Sequence, residues 1–184
     1  MADLFAVLFG GVTALLPAFA QDILHTNPWG LGVLRLAPAV GALAVSVILA
    51  RHPIEHNAGL KMFGAVIVFG IAITAFAFSR SLFLSAAILC VAGAADIVSV
   101  LVRSSLVQIG TPDEMRGRVS AVSSLFINTS NQLGEFESGV TASWFGIIPA
   151  TVIGGVVSVL VAVSWMYLFP NLRNVKSLSK SGEV

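Results

Sequence analysis

The stretch LFLSAAILCVAGAADIVSVLV, residues 82–102, decides the fold class because it is long and apolar enough to cross a bilayer as one helix. Strands of a membrane barrel would instead alternate apolar and polar residues. The chain contains five further runs of the same kind, at 4–24, 30–50, 60–78, 119–140 and 147–169. The sequence therefore predicts an all-α membrane protein of six transmembrane helices, with a transmembrane domain at 1–172 and a cytoplasmic tail at 173–184.

The composition favours a lipid-facing surface and excludes several classes of function. The 184 residues are 57% hydrophobic and 10% charged, with a mean hydropathy of +0.94. A net charge of +1 provides no basic surface for nucleic acid. The single cysteine, Cys90, cannot form a disulfide framework. The sequence has no nucleophile elbow and no phosphate-binding glycine loop, and His52 and His56 lack a zinc-protease setting. We therefore expect no enzyme activity, metal or cofactor.

Basic residues in the short loops predict the orientation in the membrane. Eight of them fall on one side and one on the other: Arg51, Lys61, Arg103, Arg116, Arg118, Arg173, Lys176 and Lys180, against Arg80. Cytoplasmic loops carry the excess of Lys and Arg. Both termini are therefore expected in the cytoplasm of a protein of the cell inner (plasma) membrane.

Prolines and glycines within the runs indicate how the helices approach one another. Pro17 and Pro38 lie inside runs, where they mark either packing kinks or moving hinges. Small residues at 10–11, 93–95 and 154–155 predict sites of close helix contact.

Ionisable residues inside the runs are candidates for function because each costs about 2.5–3.5 kcal/mol near a bilayer centre. Arg35, Asp96 and Glu135 lie inside runs, and Asp22 and Arg103 lie at their ends. Such residues face a water-filled path or form structural ion pairs, and the sequence leaves both readings open.

The fifth run carries the most polar pattern. Ser124, Asn128, Asn131 and Glu135 are spaced by four, three and four residues, which puts them on one helical face. Such a face either lines a substrate and proton pathway or joins helices through amide hydrogen bonds. Glu137 projects to nearly the opposite side, where it can extend to the membrane surface.

Arg35 and Glu135 are predicted to pair. Each lies five residues inside the outer end of its run, so their depths match. Asp22 is a possible third member. A proton from outside would then compete with Arg35 for Glu135 and couple protonation to opening of the outer face.

The segment between the fourth and fifth runs, 103–118, is predicted to be a cytoplasmic loop. Thr111 precedes Pro112 and two acidic residues, which is typical of a helix start capped by Thr111. Charged groups in this loop and at the adjoining end of the fourth run are expected to hold an inner gate. The alternative for the two arginines at the start of the fifth run is that they only fix the orientation of the protein in the membrane. The gate group is Asp96, Arg103, Glu114, Arg116 and Arg118.

Three segments carry a family resemblance: GAADIVSVLVR at 93–103, TPDEMRGRVSAV at 111–122 and LGEFESG at 133–139. Together with 34–43 and 169–173, they resemble the C-terminal half of the major facilitator superfamily. The most similar branch is that of the enterobactin-exporter-like proteins, also called transmembrane secretion effectors. The resemblance runs from about residue 3 to residue 173.

The resemblance implies that the six helices correspond to helices seven to twelve of a twelve-helix exporter that works by alternating access. Such exporters bind a small molecule between two halves and use the proton gradient. The family's gating motif is degenerate here, at 51–56. Expected partners are the lipid bilayer, a small-molecule substrate, protons, and a missing N-terminal half or a second copy.

Two functions remain open. One is a half-exporter, and the abrupt start of the first run after residue 3 suggests a fragment or one half of a split transporter. The other is a self-contained six-helix scaffold or accessory protein without transport activity. An in-frame six-span half directly upstream would favour the first. The substrate is open among an amphipathic drug, a catecholate siderophore and a lipid-like metabolite.

Overall fold

The computed structural model describes residues 3–52, 58–109 and 111–168, and every regular element in these ranges is helical. The elements are α1 Asp3–Ala18, a π-helical turn Phe19–Ile23, α2 Pro28–Arg51, α3 Ala58–Phe78, α4 Leu82–Ile109, a 3-10 turn Asp113–Met115, α5 Arg116–Phe145 and α6 Ile147–Leu168. The all-helical prediction is confirmed. The predicted tail at 173–184 and residues 53–56 of the degenerate gating motif lie outside the described residues.

Four helices of the described chain are long and apolar enough to cross a membrane: Pro28–Arg51, Gly59–Phe78, Leu82–Ser105 and Ile147–Leu168. The regular part of α1 has 16 residues, which is short for a span. Helix α5 has 30 residues but includes two arginines and two glutamates. The fold is therefore that of a multi-pass helical membrane protein, and the number of six spans stays a prediction.

Pro17 marks the point where α1 changes its geometry. The α-helix ends one residue later, and a wider π-helical turn, Phe19–Ile23, continues the chain. Proline removes a backbone donor and crowds the preceding turn, and an added residue in the turn is one way for a helix to absorb this. The first predicted run, 4–24, is therefore one helical path with a change of pitch near its end.

Two helices extend beyond the predicted membrane spans, and the span limits themselves stay predictions. Helix α4 continues to Ile109, seven residues past the predicted end at 102, and α5 covers 116–145 rather than 119–140. Polar residues do not end a helix once it leaves the membrane, so hydropathy marks the bilayer rather than the helix. A single residue, Gly146, separates α5 from α6, and its φ of +91° is a conformation that favours glycine.

The predicted role of Thr111 as a helix N-cap was wrong. Its hydroxyl donates back to the carbonyl of Val107 at 2.6 Å, which ties it to the end of α4. Pro112 occupies the cap position of the following 3-10 turn, which has no side-chain cap.

Three helix pairs form the framework: α1 with α5, α2 with α4, and α3 with α6, with α3 also packing on α4. A glycine permits close approach in each pair. The contacts that a Cβ would meet are Gly11 with Ser138, Gly93 with the backbone of Pro38, and Gly155 with Thr74 and the carbonyl of Gly70. The predicted role of these glycines is confirmed, with Gly155 rather than Gly154 as the contact residue.

The main apolar core is built from residues of α1, the π-helical turn, α2, α3 and α4. The rings of Phe19 and Phe76, both buried, are 4.3 Å apart between centroids and tilted by 31°. Nearby, the buried hydroxyl of Ser85 donates to that of Ser79 at 2.9 Å. This core joins four of the helices that surround the cavity described next.

Candidate substrate cavity

A cavity of about 260 Å³ opens among helices α1 to α5. Its lining is Val12, Thr13, Leu16, Pro38, Phe69, Ile73, Leu89, Ala92, Gly93, Asp96, Asn131 and Glu135. Eight of these twelve residues are apolar or glycine, and the other four bring carboxyl, amide and hydroxyl groups. Apolar walls with a few polar groups are typical of a small-molecule site.

The apolar wall is held by close contact between α2 and α4. The backbone of Pro38 packs directly on Gly93, and Gly41 packs on the carbonyl of Cys90. On the α3 side, Phe69 and Ile73 are buried beneath the cavity. The wall is therefore set by backbone contacts and core side chains rather than by long flexible groups.

The polar wall comes from three different helices. Asp96 of α4 and Asn131 of α5 are half-buried, whereas Glu135 of α5 and Thr13 of α1 are exposed. The Thr13 hydroxyl donates to Oε1 of Glu135 at 3.4 Å, a long hydrogen bond. Two carboxyl groups thus share one cavity with neutral hydrogen-bonding neighbours.

Three sides of α5 differ in character. Ser130 and Gly134 form the buried side. The polar face predicted from the sequence includes the cavity residues Asn131 and Glu135, while Ser124 and Asn128 lie exposed beyond the lining. A third, apolar side is also exposed and carries Val122, Leu125, Phe126, Leu133 and Phe136. The polar and apolar exposed sides point in different directions around the helix.

Arg35 and Asp22 are not brought into the cavity. Arg35 is exposed on α2, one turn before the lining residue Pro38, and Asp22 is exposed in the π-helical turn. Within the described part of the chain, no ion pair joins Arg35 to Glu135, and Thr13 is the hydrogen-bond donor at that carboxylate. The physical reason is helix pairing, because α2 packs on α4 while α5 packs on α1. The predicted direct contact is therefore not formed in this structure.

The predicted gate residues are spread over the second half of α4, the 3-10 turn and the start of α5. Arg103 is half-buried in α4, seven residues or about two turns after Asp96. Glu114 and Arg118 are exposed. Arg116 forms an ion pair with Asp113, and its Nη2 lies 2.8 Å from Oδ1 of that residue. Asp113 was not among the predicted gate residues.

Sequence reasoning missed Thr13, Phe69 and the remaining apolar lining residues. These residues lie in uniformly apolar runs, and only the packing of the helices shows which of them face the cavity. Glu137 lies elsewhere, beside a smaller cavity of about 60 Å³ between α5 and α6. It therefore belongs to a different surface of α5 from Glu135.

Comparison with known proteins identifies one family. Residues 1–183 match the model of a family described as transmembrane secretion effector. No curated protein and no solved structure matches the chain.

Proposed function

This chain belongs to the transmembrane secretion effector family, a branch of the major facilitator superfamily, and we propose that it forms the C-terminal half of a proton-coupled exporter. Its partner is an N-terminal six-helix half or a second copy of the chain. Its substrate is a small molecule of the drug or siderophore kind, moved by alternating access. The loop charges support a place in the cell inner membrane with both termini in the cytoplasm.

The observation that carries this proposal is the cavity that Asp96, Asn131 and Glu135 share. Ionisable side chains at membrane depth are expensive, and in transporters they mark substrate and proton paths. Two of them, Asp96 of α4 and Glu135 of α5, come from different helices and line the same cavity.

The exposed polar side of α5 supports a facing partner. Ser124 and Asn128 continue the polar wall beyond the cavity, and polar groups are disfavoured against lipid. The cavity volume of about 260 Å³ is also below the roughly 300–1,000 Å³ of sites for drug-sized ligands. A second half placed over this side would cover the polar groups and complete a larger site.

Glu135 is the proposed proton carrier. It is exposed, it lines the cavity, and its hydrogen bond from Thr13 is long, so a proton can reach it with little rearrangement. Protonation would remove its charge and add an O–H donor, while the other oxygen remains an acceptor. A change of this kind at the cavity edge can bias which side of the transporter is open.

The cytoplasmic gate is proposed to use Asp96 with Arg103, supported by Glu114, Arg116 and Arg118. Asp96 and Arg103 are seven residues apart in α4, which places them on one face about two turns from each other. The exposed arginines at the start of α5 are placed to meet acidic groups of a facing half. Arg35 and Asp22 are proposed to act at the outer rim rather than inside the cavity.

Transport by vesicles tests this function. The tagged chain is purified from the membranes of its own host in mild detergent, so that a partner half is retained, and reconstituted into vesicles with an acidic interior. Cationic ethidium and anionic calcein serve as probes. Accumulation of either probe that collapses when the pH gradient is dissipated supports the proposal.

Glu135→Gln and Glu137→Gln provide the matched pair of variants. Both remove one carboxylate from α5, but only Glu135 lines the cavity. Loss of transport in Glu135→Gln alone is the expected result. No accumulation of either probe by the wild type, or equal loss in both variants, contradicts the proposal, and the first outcome favours a scaffold or accessory protein.

A further inference from the structure

We propose that the cavity selects an organic cation with an apolar body over a neutral or anionic compound of the same shape. This inference rests on the proposed function and names the substrate class that the site takes. It distinguishes between substrates that the sequence leaves open, because a lipophilic amine and a polyanionic chelate carry opposite charges.

The charge of the side chains that line the cavity is the first argument. Two carboxyl groups, those of Asp96 and Glu135, lie in its lining. Among the described residues that form the lining there is no lysine, arginine or histidine. The hydroxyl of Thr13 and the amide of Asn131 can form hydrogen bonds with a cationic or an anionic ligand. The two carboxylates therefore decide that the cavity prefers a cation.

The positions of the nearby arginines are the second argument. Arg35 is exposed outside the lining, so it does not offset the charge of Glu135 inside the cavity. Arg103 lies seven residues further along α4 than Asp96 and is outside the lining. Glu135 is thus the carboxylate available to a ligand cation, with only the Thr13 hydroxyl bound to it among the described residues.

The apolar walls are the third argument. Leu16, Ile73 and Leu89 are each 7% exposed or less and line the cavity, so they offer contact to a hydrocarbon body. Phe69, 6% exposed, adds an aromatic ring to the same lining. Aromatic faces attract organic cations, and alkylammonium groups in particular. The cavity therefore combines an apolar body site with a negative group at its open edge.

Three small probes of matched shape separate charge from size. They are 3-hydroxyphenyltrimethylammonium, its neutral isostere 3-tert-butylphenol, and the anion 3-hydroxybenzenesulfonate. Binding is measured by equilibrium dialysis against nanodiscs that contain the chain purified from its host together with its partner half, with empty nanodiscs correcting for partition into lipid. Saturable binding of the cation, tighter than that of the isostere, is expected, with no saturable binding of the anion.

Glu135→Gln is expected to weaken cation binding about tenfold, which corresponds to about 1.4 kcal/mol. Binding of 3-tert-butylphenol should stay within about twofold of the wild type, which shows that the cavity is intact. Glu137→Gln, which removes an exposed carboxylate outside this lining, should bind the cation as the wild type does.

The inference is overturned if the cation does not bind saturably, if the isostere binds as tightly, or if the anion binds. It is also overturned if Glu137→Gln weakens cation binding as much as Glu135→Gln does. Proton-driven transport of calcein without cation preference would remove this inference and keep the proposed function. Selective binding of the cation without transport would keep this inference and remove the proposed function.

Discussion

Replacing Gly155 with alanine tests how tightly α3 and α6 are packed. A Cβ at this position would lie 2.8 Å from the Gly70 carbonyl oxygen and 2.9 Å from the backbone nitrogen of Thr74. Ordinary contact begins near 3.4 Å, so the two helices must separate locally by about 0.6 Å. Since backbone atoms form these contacts, a side-chain rotation cannot relieve them.

The expected magnitude follows from two opposing effects. Overpacking of a close contact costs about 1–3 kcal/mol. Alanine in place of glycine within a helix gains about 0.5–1 kcal/mol. The adjacent Gly154 offers the matched control, because a Cβ there meets nothing within 4 Å. Gly155→Ala should therefore be less stable than Gly154→Ala by about 1–3 kcal/mol, with the propensity gain common to both.

The assay is unfolding of the purified chain in mixed micelles by increasing the fraction of denaturing detergent, followed by far-UV circular dichroism. Gly154→Ala should unfold at or above the wild-type midpoint and Gly155→Ala below it. Equal midpoints for the two variants would refute the close packing of α3 on α6.

Three further predictions use the same unfolding assay. Ser85→Ala should lower the free energy of unfolding by about 0.5–1.5 kcal/mol, because a buried hydrogen bond to Ser79 is lost, and an unchanged midpoint would contradict that bond. Phe76→Ala should cost about 3–5 kcal/mol, since this ring is 1% exposed in the core, and a loss below about 1 kcal/mol would show that the site is not packed as described. Asp113→Asn should change the free energy of unfolding by less than about 1 kcal/mol, because the side chains of its ion pair are largely exposed, Asp113 at 80% and Arg116 at 43%. A larger loss would contradict an exposed ion pair.

Helix existence and glycine contacts were predictable from the sequence. Hydropathy located all six helices because each contains a long apolar run. The groups of small residues at 10–11, 93–95 and 154–155 were predictable as contact regions because small side chains allow helices to approach closely, whereas the choice of Gly155 over Gly154 required the structure. The polar periodicity of α5 placed Asn131 and Glu135 on one side, and both line the cavity.

The partners across helices were not predictable. Depth along the membrane suggested Arg35 for Glu135, but depth carries no information on which helices are neighbours. Thr13 is the residue that reaches Glu135, because α1 packs on α5. Likewise Asp113 pairs with Arg116 through the local geometry of a 3-10 turn, where the sequence predicted a capped helix start.

The central claim is that the polar side of α5 faces another protein half while its apolar side faces lipid. A photoreactive benzophenone side chain at Asn128 or at Leu133 tests it in host membranes. The two positions are five residues apart, which is about 140° around the helix, and both are exposed. Position 128 should give an adduct with a six-helix half or with a second 19.2 kDa chain, and position 133 should label lipid. Labelling of lipid alone from position 128, or the same protein adduct from both positions, would contradict the claim.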